Sequence, residues 1–399
     1  MILRGRLGDR ALTLNTKPNC LTLSLESRDG TEVYSFDGEG RLWTALVDSV
    51  SYRRGLDGKV VAKRQINRES RDRRWLAIGE VRQLEACARD AAASLARAVF
   101  DTPLPPPAVD GLERAKAFDA ARAEADVARY HQVYKPVGIL PPDQYMAVVL
   151  QITEGCSFNT CTYCSFYKDR PFRIKSVPEL REHALAVRSF LGRGLSLRRT
   201  IFLGDANALV APMKQLLPLL DVVGEVFDVE ALGGLFAFLD GFSAERKSAG
   251  DYRELARRGL KRVYVGLESG NDVLLQFLRK PGAAADAVKA VHTLKSAGVA
   301  VGVIVLLGAG GRTHAEAHVR DTVRAIDAMR LDAGDLLYLS ELVVDESMPY
   351  ARAAVEAGVQ PLSPEQRAAQ GKAVEESLRF SAAAGAPHIS RYDIREFVY

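Results

Sequence analysis

Between residues 147 and 340 the chain alternates short apolar runs with amphipathic stretches at helical spacing, and few architectures accommodate that pattern. Apolar runs fall at 147–152, 200–203, 235–239, 262–267, 299–307 and 335–340, with a further apolar piece at 226–231. Helical periodicity fills the gaps at 177–191, 213–220, 251–258, 284–296 and 313–329. About six strands alternating with helices predict an α/β fold. Its parallel sheet is closed or partly closed as a TIM-like (β/α)6 barrel, with reactive groups at the C-terminal ends of the strands.

Around this barrel, expected over residues 135–345, the chain reads differently. Residues 1–73 hold short alternating pieces such as Leu21-Thr22-Leu23-Ser24-Leu25, separated by turn signals at 28–30 and 37–40, and predict a small β-rich domain. Residues 74–134 read as a helical connection interrupted by Pro103, Pro105, Pro106 and Pro107. Residues 346–399 read as a helical region ending in an extended tail from 389 onward.

Composition narrows the class. With 47% hydrophobic and 26% charged residues, the 399-residue chain has the balance of a soluble protein, and no apolar run approaches the roughly 20 residues that span a bilayer. The N-terminus lacks a signal-peptide pattern, so a cytoplasmic location is expected. A net charge of +4 is too small to indicate nucleic acid or an anionic membrane by itself. Five cysteines, three of them clustered, do not make a disulfide framework.

The cluster is Cys156, Cys161 and Cys164, directly after the first barrel strand. Three thiolates in a strand-end loop suit zinc or an iron-sulfur cluster. Zinc wants a fourth ligand, and no cysteine follows Cys164. A thioredoxin-like reading of Cys161-Thr162-Tyr163-Cys164 leaves Cys156 unused. A cluster with one iron open to a further ligand accounts for all three.

These residues resemble the radical S-adenosylmethionine (radical SAM) superfamily, in its coproporphyrinogen-dehydrogenase-like and elongator-like branch. The family usually has three residues between the first two cysteines; here there are four, and residues 157–160 are expected to bulge outward. The resemblance extends over residues 145–345 and implies a 4Fe-4S cluster on Cys156, Cys161 and Cys164, with SAM on the open iron and Tyr163 near its adenine. In Leu203-Gly204-Asp205-Ala206-Asn207, it implies that Gly204 and Asp205 meet the SAM amine, the alternative for Asp205 being a turn that caps a helix. In Gly266-Leu267-Glu268-Ser269-Gly270, it implies that Glu268 and Ser269 meet the ribose, against a structural helix cap. Gly308 and Ala309 correspond to the backbone contact with adenine. Arg312 and Lys280 are candidate partners of the SAM carboxylate. The implied reaction is reductive cleavage of SAM to a 5'-deoxyadenosyl radical that abstracts hydrogen from a substrate. The implied partners are an external one-electron donor of flavodoxin or ferredoxin type and an organic small molecule.

Substrate choice must come from the flanks. The absence of cysteine after Cys164 argues against auxiliary clusters, and the cobalamin-binding signature is missing. A basic run, Arg53, Arg54, Lys59, Lys63, Arg64, Arg68, Arg71, Arg73 and Arg74, raises RNA modification as an alternative. The non-enzymatic alternative is a redox-sensing metal protein. Tyr392 and Tyr399, in the aromatic tail, and Cys87, on a helical stripe, are candidate catalytic groups. Tyr338, Ser340 and Glu341 are candidates for the pocket wall by position alone.

Overall fold

A computed structural model of the protein describes residues 1–28, 30–66, 71–242 and 247–399. Asp29 of the expected turn at 28–30, and Arg68 and Glu69 of the basic region, lie outside the described residues, as does the side chain of Arg71. The chain divides into two compact units, residues 1–148 with 185–199 and 395–399, and residues 149–184 with 200–394.

The first unit is built on an antiparallel meander. Its strands are β1 (Ile2–Leu7), β2 (Arg10–Lys17), β3 (Cys20–Glu26), β4 (Thr31–Phe36), β5 (Leu42–Val47), β6 (Val50–Arg54), β7 (Val60–Gln65) and β8 (Arg71–Trp75). They pair in sequence order, and β9 (Val99–Phe100) joins the free edge of β1. Alternation puts every second side chain on one face, so Leu12 pairs with Leu25, Leu14 with Leu23, and Leu23 with Tyr34 in a buried row. Helices α1 (Ile78–Ser94) and α2 (Pro106–Ala117) bury Leu84, Ala88, Ala91, Leu112 and Ala115 against that face. The stretch expected as a connection is therefore the cover of the sheet, and Arg71–Trp75 is a strand rather than a helix start. Pro106 begins α2, where its missing N–H is harmless. After α3 (Ala120–Val133), Asp126 holds buried Arg41 by two bonds of 2.7 Å, while Asp37 and the carbonyl of Phe190 accept its remaining N–H groups.

The second unit holds, apart from the first two residues of β10, a sheet ordered β10 (Ala147–Gln151), β13 (Thr200–Gly204), β14 (Leu235–Leu239), β15 (Leu260–Glu268), β16 (Ala300–Leu307), β17 (Leu336–Glu341) and β18 (His388–Tyr392). From β13 to β18 every pairing is parallel. The helices between strands are α4 (Val177–Leu191), α5 (Met213–Val226), α6 (Ala249–Arg257), α7 (Asp272–Phe277), α8 (Ala284–Ser296), α9 (Gly311–Met329), α10 (Pro349–Glu356) and α11 (Pro364–Ser377). Of these, α6 and α8 pack on β15, and α11 packs on α9 and β16. The partial barrel is as expected, with one addition: the tail supplies a seventh strand, β18, beside β17. The apolar piece at 226–231 is not a strand but the end of α5 and the turns after it. Rings of Phe202, Phe238, Tyr264, Tyr338 and Tyr392 meet in sequence across the sheet at centroid distances of 5.1 to 6.5 Å, filling its middle layer. What remains for chemistry is the rim above them.

Candidate functional site

The cysteine loop, residues 155–172, is clasped at its base by a two-stranded ribbon, β11 (Thr153–Glu154) against β12 (Arg173–Ile174). Glu154 accepts from Arg173 at 2.9 Å and from Lys175 at 2.8 Å. Burial works against its charge, yet the two cations hold its pKa down to about 2. Gly155 follows with φ +77°, and a Cβ there would stand 2.8 Å from the carbonyl oxygen of Pro171, so only glycine lets the two ends of the loop meet. Asp205, just past the end of β13, reaches across to the same point. Its carboxylate accepts from Gln151 Nε2 at 2.7 Å and from the Gly155 N–H at 3.0 Å, and pairs with Arg170 at 3.1 Å. Burial pushes Asp205 up, and Arg170, Gln151 and Gly155 pull it back. Asp205 thus fixes the loop by its first residue.

The extra residue between Cys156 and Cys161 is taken up at Asn159, which adopts φ +54° and directs its N–H to Cys156 Sγ at 3.4 Å. The outward bulge expected for 157–160 is confined to exposed Thr160. Phe158 instead turns inward against Phe242, with ring centroids 4.1 Å apart. Thr162 ties the far side of the loop to the Leu278 carbonyl through its N–H and hydroxyl, at 3.0 and 3.2 Å. Cys164 feels both other cysteines and Cys161 feels Cys156; burial pushes both thiols up, Cys164 to about 11, while Lys280 pulls Cys161 back.

A charged rim adjoins the loop. The β15–β16 register shifts between Gly266 and Glu268, and Glu268 sits at φ +59°, a conformation that a non-glycine residue holds only under constraint. Its carboxylate accepts from Lys280 Nζ at 3.2 Å and from the Tyr163 phenol. Gly266 makes room for this pair, since a Cβ there would meet Glu268 Oε1 at 2.5 Å. Burial opposes the charge of Lys280, but Glu268, Asp240 and Cys161 outweigh it and raise its pKa. Burial raises Asp240 too, against the pull of Lys280 and of the Asn207 amide, which donates to it at 2.9 Å. Asn207 Oδ1 is buried without a partner. On the neighbouring strands the hydroxyls of Ser340 and Tyr392 bond to each other, and burial raises Tyr392 to about 12.

The structure therefore brings together Cys156, Cys161, Cys164, Tyr163, Glu268, Lys280 and Tyr392, and adds Asp240 and Asn207, which sequence reasoning did not single out. Asp240 carried a usable signal, a carboxylate immediately after an apolar strand. Gly204 ends β13 with its carbonyl accepting from Thr153 Oγ1 at 3.2 Å. Ser269 turns away from the rim, its hydroxyl on His318 Nδ1 at 2.7 Å and on the Asn271 N–H. Gly308 gives its N–H to Gln370, and Ala309 packs with Leu274, Leu306 and Tyr163 in one apolar cluster. Arg312 is exposed on the first turn of α9, apart from the charged groups of the rim. Cys87 is exposed on α1 and Tyr399 is buried, both in the first unit; the Tyr399 phenol lies against the Tyr134 hydroxyl and the Ala147 carbonyl.

Four cations of the basic run are paired with carboxylates outside it. Arg54 bonds Glu85, Lys63 and Arg73 share Glu396, and Arg74 bonds Glu80. Among the described residues no three His, Cys, Asp or Glu side chains are grouped to hold a single metal ion. A cluster spreads its thiolates over separate irons and has no such requirement. Three cysteines in one clasped loop, beside a buried orphan acceptor and a lysine that favours thiolate, fit a cluster with a small-molecule ligand at its open iron.

Residues 150–326 match the family model of the radical SAM superfamily. No curated protein matches the chain. Among solved structures, it is similar to coproporphyrinogen III oxidase from Escherichia coli, a radical SAM enzyme, with TM-score 0.44 and 13% identity over 58% of this chain and 50% of that one. It is similar to methylornithine synthase, with TM-score 0.40 and 13% identity over 79% of each chain. A third likeness is to Elp3 of the archaeon Methanocaldococcus infernus, with TM-score 0.39 and 14% identity over 61% of this chain and 60% of that one. The chain spans half the length of the first of these. Among the described residues no helix is long and apolar enough to cross a membrane. The family whose model matches residues 150–326 is one whose members are generally enzymes using a 4Fe-4S cluster and SAM.

Proposed function

We propose that the protein is a radical SAM enzyme acting on an organic small molecule, with Cys156, Cys161 and Cys164 as the cluster ligands. The observation that carries this reading is the convergence of the clasped cysteine loop with Tyr163, Glu268, Lys280 and Asp240 at the C-terminal rim of the parallel strands. When bound, a cluster on Cys156, Cys161 and Cys164 would supply the one electron needed to break the sulfonium C–S bond of SAM, with methionine as the leaving group, and so the means to abstract hydrogen from a substrate C–H bond.

The chain's own residues divide the remaining work. Lys280, charged beside Cys161, favours the thiolate that iron requires. Lys280 is also better placed than exposed Arg312 to receive the SAM carboxylate. Asn207 Oδ1 and Asp240 present acceptors to its ammonium, and Glu268 offers its remaining lone pairs to the ribose. Tyr163, Ala309 and Leu306 give a flat ring an apolar wall. Asp205 acts one step back, by holding the loop. The aromatic layer beneath closes the barrel, so the substrate sits on the rim near Ser340 and Tyr392 rather than deep inside.

The pairing of Arg54, Lys63, Arg73 and Arg74 with carboxylates leaves the RNA reading with less support than the small-molecule one. The electron donor is a flavodoxin- or ferredoxin-type protein in this reading, and the setting is the cytoplasm.

Anaerobic reconstitution with iron and sulfide tests the proposal. The reduced protein should give a cluster spectrum that SAM perturbs, and should release 5'-deoxyadenosine. Joint replacement of Cys156, Cys161 and Cys164 by Ala should abolish both signals. A cluster spectrum indifferent to SAM, with no 5'-deoxyadenosine, would leave only the redox-sensing alternative.

A further inference from the structure

The first unit contains a cavity of about 30 Å³, lined among others by Asp37, Arg41, Trp43, Arg53, Arg198 and Tyr399. Its charge balance is uneven. Arg41 is neutralised by Asp126 and Asp37, and Arg54, also on the wall, by Glu85. Arg53 and Arg198 are not. Among the described residues neither forms an ion pair, and the carboxylate that bears most on Arg53, Glu396, is already bonded to Lys63 and Arg73.

What holds the two guanidiniums is aromatic rather than acidic. Arg53 lies over the Tyr145 ring at 4.7 Å and donates to the Tyr145 carbonyl at 3.2 Å; Arg198 lies over the Tyr399 ring at 5.6 Å. Burial depresses Arg53, and repulsion by Arg198 adds to the effect. Two buried donors on the same wall, Arg198 Nε and Trp43 Nε1, have no acceptor. Native folds rarely leave buried donors unmatched, and rarely bury like charges together without a counter-charge.

We propose that this cavity is an anion site, taking a chloride ion held by Arg53, Arg198 and the Trp43 indole N–H. A water molecule would satisfy the orphan donors but would leave one positive charge in excess, because Arg41, Arg53, Arg54 and Arg198 face only Asp37, Asp126 and Glu85. A phosphate or an organic acid is too large for a space that holds little more than one water. A monovalent halide meets the size, the charge and the donor count together. The site belongs to the first unit and owes nothing to the cysteine loop.

The test uses bromide as probe on the full chain. The protein has two tryptophans, so Trp75→Phe leaves Trp43 as the sole indole reporter. At constant ionic strength, bromide should quench Trp43 emission along a saturating curve, chloride should compete, and adding Arg198→Met should weaken the binding at least tenfold. Crystals of the wild-type protein soaked in bromide should show an anomalous peak between Arg53 and Arg198, a readout that holds even where Arg198→Met fails to fold. Quenching that is linear and unchanged by Arg198→Met, or a map with water alone in the cavity, would overturn the assignment.

Discussion

Two buried carboxylates, Glu154 and Asp205, do for the cysteine loop what metal ligands alone cannot, since they order its ends before any iron arrives. Asp205→Asn keeps the shape and leaves Arg170 without its buried counter-charge, a change expected to destabilise the fold by about 3 kcal/mol. Iron bound after reconstitution should fall with it. Iron content and melting temperature both equal to wild type would show that Asp205 is not the anchor. His318 offers a pH test of the packing behind the rim. Buried with Ser269 and Thr322, it has its pKa lowered by desolvation from the ordinary 6.5 to about 4. The unfolded chain therefore takes up the proton first as pH falls. The neutral histidine's contribution is intact above about pH 6.5 and is lost progressively toward pH 4, up to roughly 3 kcal/mol. Urea midpoints measured at pH 7.5 and pH 5 should differ more for the wild type than for His318→Gln.

At the scale of elements, β18 carries the sharpest expectation. Its register sets Ser340 beside Tyr392, and the Tyr392 ring meets Tyr338 edge-on at 5.7 Å. Tyr392→Phe keeps that ring contact and removes one buried hydrogen bond, expected to lower stability by about 1 kcal/mol. If Tyr392 also faces substrate, turnover should drop while the yield of 5'-deoxyadenosine without substrate stays unchanged. An equal fall in both would assign the residue to structure alone. Removing the last ten residues is a blunter probe, because it also takes Tyr399 out of the first unit's core. The central strands were legible because each is buried and reads as an unbroken apolar run, Val299 to Leu307 above all. β18 was not: His388, Ser390 and Arg391 give it no such run, and its partner β17 lies about fifty residues earlier in the chain. The Cys triplet and the Glu268 segment were legible for the same local reason. Asn207, Asp240 and the loop anchors depend on contacts between strands that no local window contains.

For the molecule as a whole, the division into units does not follow the chain. The first unit takes back residues 185–199 and 395–399, giving Arg41 its Phe190 carbonyl and Tyr134 its Tyr399 partner. A cut at residue 148 would strip these and leave buried donors unmatched. The isolated fragment 1–148 should therefore unfold at lower urea than the same region within the full chain, as read by the emission of Trp43 and Trp75. Equal midpoints would show that the returning segments add nothing.

The ribbon of β11 and β12 has a further consequence. A free loop of this length spends most of its time with its ends apart, and gathering three thiols from that ensemble would draw on the energy of iron binding. Here Thr153 to Glu154 and Arg173 to Ile174 have closed the loop during folding, so the thiols stay at high local concentration in the metal-free chain. Such a chain should capture a cluster quickly and, having lost it to oxygen, should remain folded and ready to be reloaded.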